Sequence, residues 1–459
     1  MSKKTITRRE FGMAAGAAAA AMLVPRHAVA AGGKTPPSEK LNIAAVGVGT
    51  GGMGKNNLSQ CANENVVALC DVDWGLAADT FARYPGAKQY KDFRVMLDRQ
   101  KDIDALIVAT PDHTHAVIAL AAIRRGKHVY VQKPLAHSVC EARTLTEAAR
   151  KHKVMTQMGN QGRSCDGVRL LCEWIWDGAI GAVGEVHAWT NRPVWPQGVE
   201  VERPRETPPP PAQFDWDLWI GPAPMRPYHP TYHPGTWRAW WDFGTGSLGD
   251  LGCHILDAPF WALKLKYPTS VEGCISTYWP GLWKKMEPKN ETYPRSTIVR
   301  YQFPAREGMP QVKLTWWDGG MMPPRPEALE EGRRMGDDDG GVLFIGDKGL
   351  LMCGCYGESP RLVPETRMRD YRQPAKTLER VPGGRSGHER DWVRACKDGK
   401  PASSNFDYSG PLSEMVLMGN LAVRFPNRRL LWDGEKMQVT NDKDADGYVR
   451  RQYRAGWTL

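Results

Sequence analysis

The chain has 459 residues, a formal charge of +10, 41% hydrophobic and 24% charged residues. That is an ordinary globular balance, with length for roughly two to three domains. The basic residues are scattered without a long Lys/Arg block, and beyond the N-terminus no stretch approaches the ~20 apolar residues of a membrane helix. Nucleic-acid binding and a membrane span are therefore not expected.

The first thirty residues, "MSKKTITRREFGMAAGAAAAAMLVPRHAVA", have a basic start, the pair Arg8-Arg9 and an Ala-rich apolar run. They close on Ala28-Val29-Ala30, a small-x-small cleavage pattern. The segment 1–30 reads as a Tat signal peptide and 31–40 as a linker. Such signals are read by the Tat translocon, which exports folded proteins, so a periplasmic or otherwise exported protein is expected. Removing residues 1–30 takes away five Lys/Arg and one Glu, which leaves a charge of +6.

Ten cysteines are present, and five of them (Cys61, Cys70, Cys140, Cys172, Cys274) sit inside apolar runs where they read as small hydrophobes. Cys353 and Cys355 form the close pair, with no second pair to complete a zinc site. A chain folded in the cytoplasm before export requires no disulfide, and no metal is expected.

From Leu41 to about residue 160, strands and helices alternate. "LNIAAVGVG" is a buried strand opening into glycines, with a helix from about Gly52, and "NVVALCDVD" is a second strand. "TFARYP" and "VMLDR" supply helical pieces, and "DALIVATP" is a strand ended by Pro111. "HAVIALAAIRRG" reads as an amphipathic helix closed by Gly126. "HVYVQ" and the helix "CEARTLTEAARKHK", leading into "VMTQMG", complete the unit. The pattern is that of a right-handed, doubly wound parallel sheet.

"VGVGTGG" places Gly47-x-Gly49-x-x-Gly52 directly after a strand and before a helix, as backbone must be to approach a pyrophosphate. Asp71 stands at the end of the second strand, nineteen residues beyond Gly52. A carboxylate there accepts both ribose hydroxyls of adenosine and repels a 2′-phosphate, so NAD is expected in preference to NADP. Ligands of such sheets sit at the carboxyl ends of strands. Thr110, Pro111 and His115 lie at one such end, and Gln132 and Lys133 at another, where Pro134 stops the strand.

After about residue 185 the texture changes. "GEVHAWTNRPVW", "VEGCISTYWP", "STIVRYQFP", "QVKLTWWDGG" and "GVLFIGDKGLLMCG" read as strands of a largely antiparallel sheet. The run Pro208–Pro211 marks a surface excursion. "DDD" at 337–339 lacks calcium-loop spacing and reads as a turn. The domains expected are 41–160 (cofactor), 161–435 (substrate binding and oligomerisation, α/β) and a tail at 436–459.

In "GTGSLGDLGCHILDAPFW", Asp250 and His254 are four apart and share one face if helical, and Asp257 could join them. Carboxylate, imidazole and lysine beside a nicotinamide suit carbinol oxidation. A base takes the hydroxyl proton as hydride leaves, and a cation steadies the developing alkoxide. The chain has eighteen tryptophans, and aromatic faces stack on sugar rings while Asn and Arg bind hydroxyls. Arg163, Asn191, Arg192, Trp195, Tyr232, Trp237 and Trp241 are the substrate-binding candidates. His388, in "GHERDWVRACKDGK", is a further residue that the C-terminal helix could bring to the cleft.

The glycine loop, "ATPDHTH", "QKP" and "GDLGCHILD" together resemble the Gfo/Idh/MocA family of oxidoreductases, from about Leu41 to Leu430. The resemblance implies an N-terminal Rossmann domain and a C-terminal α/β domain whose open sheet serves dimerisation, hence a homo-oligomer. It also implies an NAD(P)-dependent enzyme acting on sugars, inositols or related polyols. The lysine of the family's Glu-Lys-Pro motif and its Asp-x-x-x-His pair correspond to Lys133, Asp250 and His254. Gln132 stands where the family usually has Glu, which removes a negative charge beside the lysine.

Export separates the protein from the cellular NAD pool, so a tightly held, self-recycling cofactor is expected. Two chemistries fit it. One is net oxidation or reduction of a carbohydrate. The other is redox-neutral NAD-dependent glycoside cleavage by oxidation, elimination, hydration and reduction. A catalytically silent sugar-binding protein on the same scaffold is the third reading.

Overall fold

The computed structural model describes residues 39–198, 202–286 and 291–459. The segment 1–30, expected to be a Tat signal peptide, lies outside the described residues, as does most of the expected linker 31–40.

Six strands, β1 (Asn42–Val46), β2 (Asn65–Cys70), β3 (Lys88–Tyr90), β4 (Ala105–Val108), β5 (His128–Val131) and β6 (Thr156–Met158), form one sheet. Their order is β3-β2-β1-β4-β5-β6 and every pairing is parallel. Helices α1 (Gly54–Gln60), α2 (Trp74–Arg83), α3 (Phe93–Arg99), α4 (His115–Ile123) and α5 (Val139–His152) connect them. The runs "AAV" in β1 and "ALIV" in β4 are buried throughout, as a sheet covered on both faces requires. This is the doubly wound Rossmann arrangement, with its ligand crevice at the carboxyl ends of the strands.

One helix departs from expectation. α4 is not amphipathic, because eight of its nine residues are buried. Its outer side is covered by the end of the chain, where Arg451 Nη1 donates to the His113 carbonyl at 2.9 Å and the Leu459 carbonyl accepts from Arg124.

The second half contains α6 (Asp166–Trp176), β7 (Val183–Thr190), α7 (Trp216–Ile220), α8 (Gly246–Ile255), α9 (Asp257–Ala262) and β8 (Ser270–Ile275). A hairpin, β9 (Tyr278–Gly281) with β10 (Lys284–Met286), precedes β11 (Thr297–Phe303), β12 (Val312–Trp317), β13 (Gly340–Gly346), β14 (Gly349–Gly354) and β15 (Arg361–Val363). Then come α10 (His388–Asp398), α11 (Phe406–Arg424), β16 (Arg429–Asp433), β17 (Gln438–Val439) and α12 (Lys443–Asp446). Nine of these strands form a sheet in the order β15-β14-β13-β7-β12-β11-β8-β16-β17, antiparallel except for β7 with β12. The fold is therefore the α/β combination expected from the sequence.

Helix α11 lies close on this sheet because glycine leaves it room. A Cβ on Gly273 would stand 2.5 Å from the Ala422 carbonyl oxygen. The same helix presses Val416 against Gly252 of α8, and so fixes the helix that carries Asp250 and His254.

The linear domain boundaries are crossed twice. Trp392 of α10 is fully buried among Ile43, Ala45, Leu69 and Tyr130 and completes the Rossmann core. The 436–459 segment is no free tail. β17 joins the large sheet, and beyond it the Val449 carbonyl accepts from Cys140 N at 3.1 Å. The excursion after Pro208–Pro211 returns to bury Phe214, Trp219, Tyr232, Trp237, Trp240 and Phe243 in one aromatic cluster. All ten cysteines are unpaired. Among the described residues no helix is long and apolar enough to cross a membrane.

Candidate active site

The chain leaves β1 through Gly47, whose φ of +81° suits glycine, and whose absent Cβ would stand 2.6 Å from the Ala109 carbonyl oxygen. Gly54, which the motif did not single out, is the glycine of close helix packing: a Cβ there would lie 1.9 Å from the Gly47 carbonyl oxygen. A Cβ on Gly52, by contrast, would stand 3.8 Å from the Gly49 carbonyl oxygen, its nearest contact among the described residues beyond its chain neighbours, so that glycine leaves room in the cleft. The signal for Gly54 was present two residues further along "VGVGTGGMG".

Asp71 caps this loop. Its carboxylate accepts from Val48 N at 2.7 Å, Gly49 N at 2.9 Å and Asp73 N at 2.9 Å. Burial pushes its pKa up, and the three backbone donors oppose that push. Three of its roughly four acceptor positions are thus used, and one remains for a ribose hydroxyl. Gly47, Gly49, Gly52, Asp71, Thr110, Pro111, His115, Gln132 and Lys133 all line one cleft, together with Asp250. A glycine cradle with vacant space, a ribose-facing carboxylate and a lysine at the far end fit a nicotinamide dinucleotide.

Lys133 follows β5, and its Nζ donates to Asp250 Oδ1 at 2.8 Å and to the Asp250 carbonyl at 2.7 Å. Both side chains are about 15% exposed, so the pair is largely desolvated. Arg238 Nε stands 3.4 Å from the same carboxylate and Arg192 Nε 3.8 Å, so three cations face one anion. Desolvation would raise the Asp250 carboxyl, but the Lys133 and Arg238 charges outweigh it and hold it at about 2. His254, one turn along α8, has its pKa pushed well below the usual value by burial and by the Lys133 charge. Its imidazole is neutral, its Nδ1 has no hydrogen-bond partner among the described residues, and its ring meets Tyr356 edge-on at 4.9 Å. Asp257 does not join this face. It opens α9 and accepts from the Tyr408 hydroxyl at 2.5 Å.

The substrate candidates divide. Trp237 lines the cleft, with Arg238 over its ring at 4.3 Å, and Arg192 bridges Asp250 to Asp339 at 3.1 Å. Trp195 lies beside Arg238, at 5.9 Å, and donates to Gln197 at 2.9 Å. Four others are held elsewhere. Asn191 donates to the Asp338 carbonyl in a separate surface pocket. Tyr232 is fully buried in the aromatic cluster, and Trp241 packs on Tyr293 and Arg424. The Arg163 guanidinium is sandwiched between Trp261 at 3.2 Å and Tyr408 at 3.7 Å, a stacking role in place of a hydroxyl-binding one. His388 likewise stays out of the cleft, its ring nitrogens bonded to Ser164 Oγ and the Met158 carbonyl.

Sequence reasoning missed Asp112, Arg238, His233 and Trp457, all of which line the cleft. Asp112 stood inside the motif "ATPDHTH" and accepts from Thr245 Oγ1 at 2.5 Å. His233 and Trp457 come from segments with no local signal. The excursion docks over the Asp71 end of the cleft: Phe214 bridges Asp73, Trp74 N donates to the Gln213 carbonyl at 3.2 Å, and His233 Nε2 meets Asp73 Oδ2 at 3.2 Å. Trp457 reaches the same end from the chain terminus, against Phe93 and Arg94.

Residues 41–160 match the oxidoreductase family's NAD-binding Rossmann fold (GFO_IDH_MocA), and residues 182–272 match that family's C-terminal alpha/beta domain. Inositol 2-dehydrogenase of Salmonella typhimurium is 34% identical over 146 residues, which are 30% of this chain and 43% of that protein. Levoglucosan dehydrogenase of Pseudarthrobacter phenanthrenivorans is 33% identical over 190 residues, 41% of this chain and 40% of that protein. The chain thus spans under half the length of these curated relatives. In fold, it is similar to the WlbA dehydrogenase from Bordetella pertussis, solved with NADH and UDP-GlcNAcA. The TM-score is 0.57 at 17% identity, covering 86% of this chain and 99% of that one. Residues 41–160 thus carry the NAD-binding Rossmann domain of the Gfo/Idh/MocA oxidoreductase family, and residues 182–272 are similar to its C-terminal domain.

Proposed function

We propose that this chain is an exported NAD(H)-dependent oxidoreductase that transfers hydride to or from a hydroxyl-bearing carbon of a carbohydrate or polyol. The observation that carries the reading is the Lys133–Asp250 ion pair, 2.8 Å long, in the wall of the dinucleotide cleft. Bound NAD supplies the hydride acceptor. Lys133 Nζ donates to the substrate oxygen and steadies its negative charge as the carbinol proton departs. Asp250 holds that ammonium in place through the 2.8 Å contact. His254, neutral and next along the helix, takes up the proton. Trp237 offers an apolar face to the sugar ring and Arg192 and Asp339 offer partners for hydroxyls. The names of the relatives, which act on inositol and levoglucosan, support a polyhydroxylated substrate. Export by the Tat pathway to the periplasm is part of the proposal and rests on Arg8-Arg9 and Ala28-Val29-Ala30. A homo-oligomer is also part of it.

The first test is to denature the purified mature protein and quantify released nicotinamide, then to supply sugars and follow NADH absorbance. Substrate-dependent absorbance change that Lys133→Ala abolishes supports the reading. A protein that neither contains nor binds NAD overturns it.

A second reading, redox-neutral glycoside cleavage, is favoured by the covered Asp71 end of the cleft, which suits a cofactor that never leaves. Aryl-glycoside cleavage without net change in NADH would select it. Net sugar oxidation with no aglycone release would reject it.

A further inference from the structure

Gln132 immediately precedes Lys133 and lines the cleft, yet its amide belongs to a buried chain running away from it. Gln132 Nε2 donates to Asn57 Oδ1 at 3.0 Å, and Asn57 Nδ2 donates to Glu389 Oε1 at 2.7 Å. The Tyr130 hydroxyl donates to the same Glu389 oxygen at 3.2 Å. Gln132, Asn57, Glu389 and Tyr130 are all at most 5% exposed. Three elements meet here: α1 behind the glycine loop, β5 with the residue that follows it, and α10 returning from the C-terminal half.

The direction of this chain is forced. A carboxylate only accepts, so Asn57 must turn its amino group to Glu389 and its carbonyl oxygen to residue 132. Residue 132 must then be a donor. Glutamine meets that demand with Nε2 and keeps Oε1, which takes no hydrogen bond from the described residues, as its acceptor for the cleft. A glutamate would face a carbonyl oxygen in a buried site, which costs free energy. Gly159 closes the other side: a Cβ there would come within 2.7–2.8 Å of the Gln132 amide, so the amide has space to lie flat against that strand end.

We propose that Glu389 is a positioning residue for the cofactor site, which through Asn57 dictates an amide at position 132 and aims its oxygen at the nicotinamide end of the cleft. In this chain position 132, before the lysine, is an amide, and the carboxylate of the network stands on α10, behind the cleft. The two positions are thus one unit, in which a carboxylate at either end requires an amide at the other. This inference rests on the NAD-binding half of the proposed function.

The test is a double-mutant cycle in the full mature chain, read by NAD+ and NADH dissociation constants and by melting temperature. Gln132→Glu alone is expected to weaken NAD+ binding by about tenfold or more and to lower the melting temperature, because two carboxylates then compete for one Asn57 amino group. Glu389→Gln alone is expected to change binding by less than about threefold, since its amide oxygen can still accept from Asn57. In the double variant Asn57 turns over, donating to the new carboxylate at position 132 and accepting from the new amide at position 389. Both readouts then return to within about threefold and a few degrees of the native values. The double variant also restores an anion beside the cleft, so its NAD+ affinity rises relative to NADH. Additive effects of the two substitutions in both binding and melting would overturn the proposal. Additivity in melting alone is decisive if no variant binds NAD, in which case the functional reading falls as well.

Discussion

His233 Nε2 lies 3.2 Å from Asp73 Oδ2, the side-chain contact that joins the backbone bridges in tying the aromatic excursion of the C-terminal half to the strand end that carries Asp71. Both side chains are about 15% exposed. Burial would raise the Asp73 carboxyl, but the His233 hydrogen bond and helix-capping N–H groups bring it below its usual value. The same carboxylate caps α2 through Leu76 N at 3.1 Å. If this clasp covers the adenosine end, removing it opens an exit for the cofactor. A hydrogen bond to a charged group contributes about 1.5–3 kcal/mol. His233→Ala is therefore expected to speed NAD release by roughly tenfold or more, with sugar KM little changed. Stopped-flow cofactor exchange measures it, and an unaltered release rate would show that the His233–Asp73 contact does not hold the cofactor in.

The site was legible where its parts are contiguous. Gly47, Gly49 and Asp71 belong to one strand–loop–strand unit, and Lys133 to one strand end, so local pattern placed them together. Asp250 and His254 could be paired because helical spacing links them. Arg238 and His233 were not legible, because their value comes from a cluster around Phe214, Trp219 and Phe243 that folds back over the other domain. Arg163 misled for the same reason: a guanidinium can bind sugar hydroxyls, and nothing local announces Trp261 and Tyr408 on either side of it. Glu389 acquires its meaning only when Trp392 carries α10 into the Rossmann core.

Asp250 gives a pH prediction. Desolvation opposes its ionisation, yet the cations around it lower its pKa from 3.8 to about 2 on folding. A depressed acid stabilises the folded state at pH above its unfolded value, and that contribution is lost as pH falls from about 4 through about 2. Its size is about 2 kcal/mol. The stability gap between the native protein and Asp250→Asn should accordingly narrow across that window in urea titrations. A gap constant from pH 5 to pH 2 would mean that the carboxylate is not held by its neighbours.

Lys133 and His254 separate binding from chemistry. Lys133→Ala should lower kcat/KM by about 10²–10⁴, the range for a positioned acid–base group, while NAD still binds. His254 is already neutral in the folded protein because burial and Lys133 lower its pKa. The activity should therefore lack the acid limb near pH 6.5 that an unperturbed histidine base would impose. A limb at that pH that disappears in His254→Gln would show the imidazole to be solvated and ordinary.

Arg163 and Trp237 provide the contrast between stacking and substrate contact. Arg163 donates to the Ser403 carbonyl at 3.1 Å and lies between two aromatic rings at 3.2 and 3.7 Å. Desolvated cation–π contacts contribute up to about 2 kcal/mol each, so Arg163→Ala should destabilise the fold by roughly 2–4 kcal/mol. Below the melting transition its KM for sugar should stay near the native value, since the guanidinium is bound to the protein itself. Trp237 lines the cleft with a 9% exposed ring, and Trp237→Ala should raise sugar KM several-fold with NAD affinity retained. The two effects follow from one physical difference, whether the side chain's partners are already in the chain. Measuring both KM and denaturation for each variant decides it, and a raised KM in folded Arg163→Ala would return that residue to the substrate site.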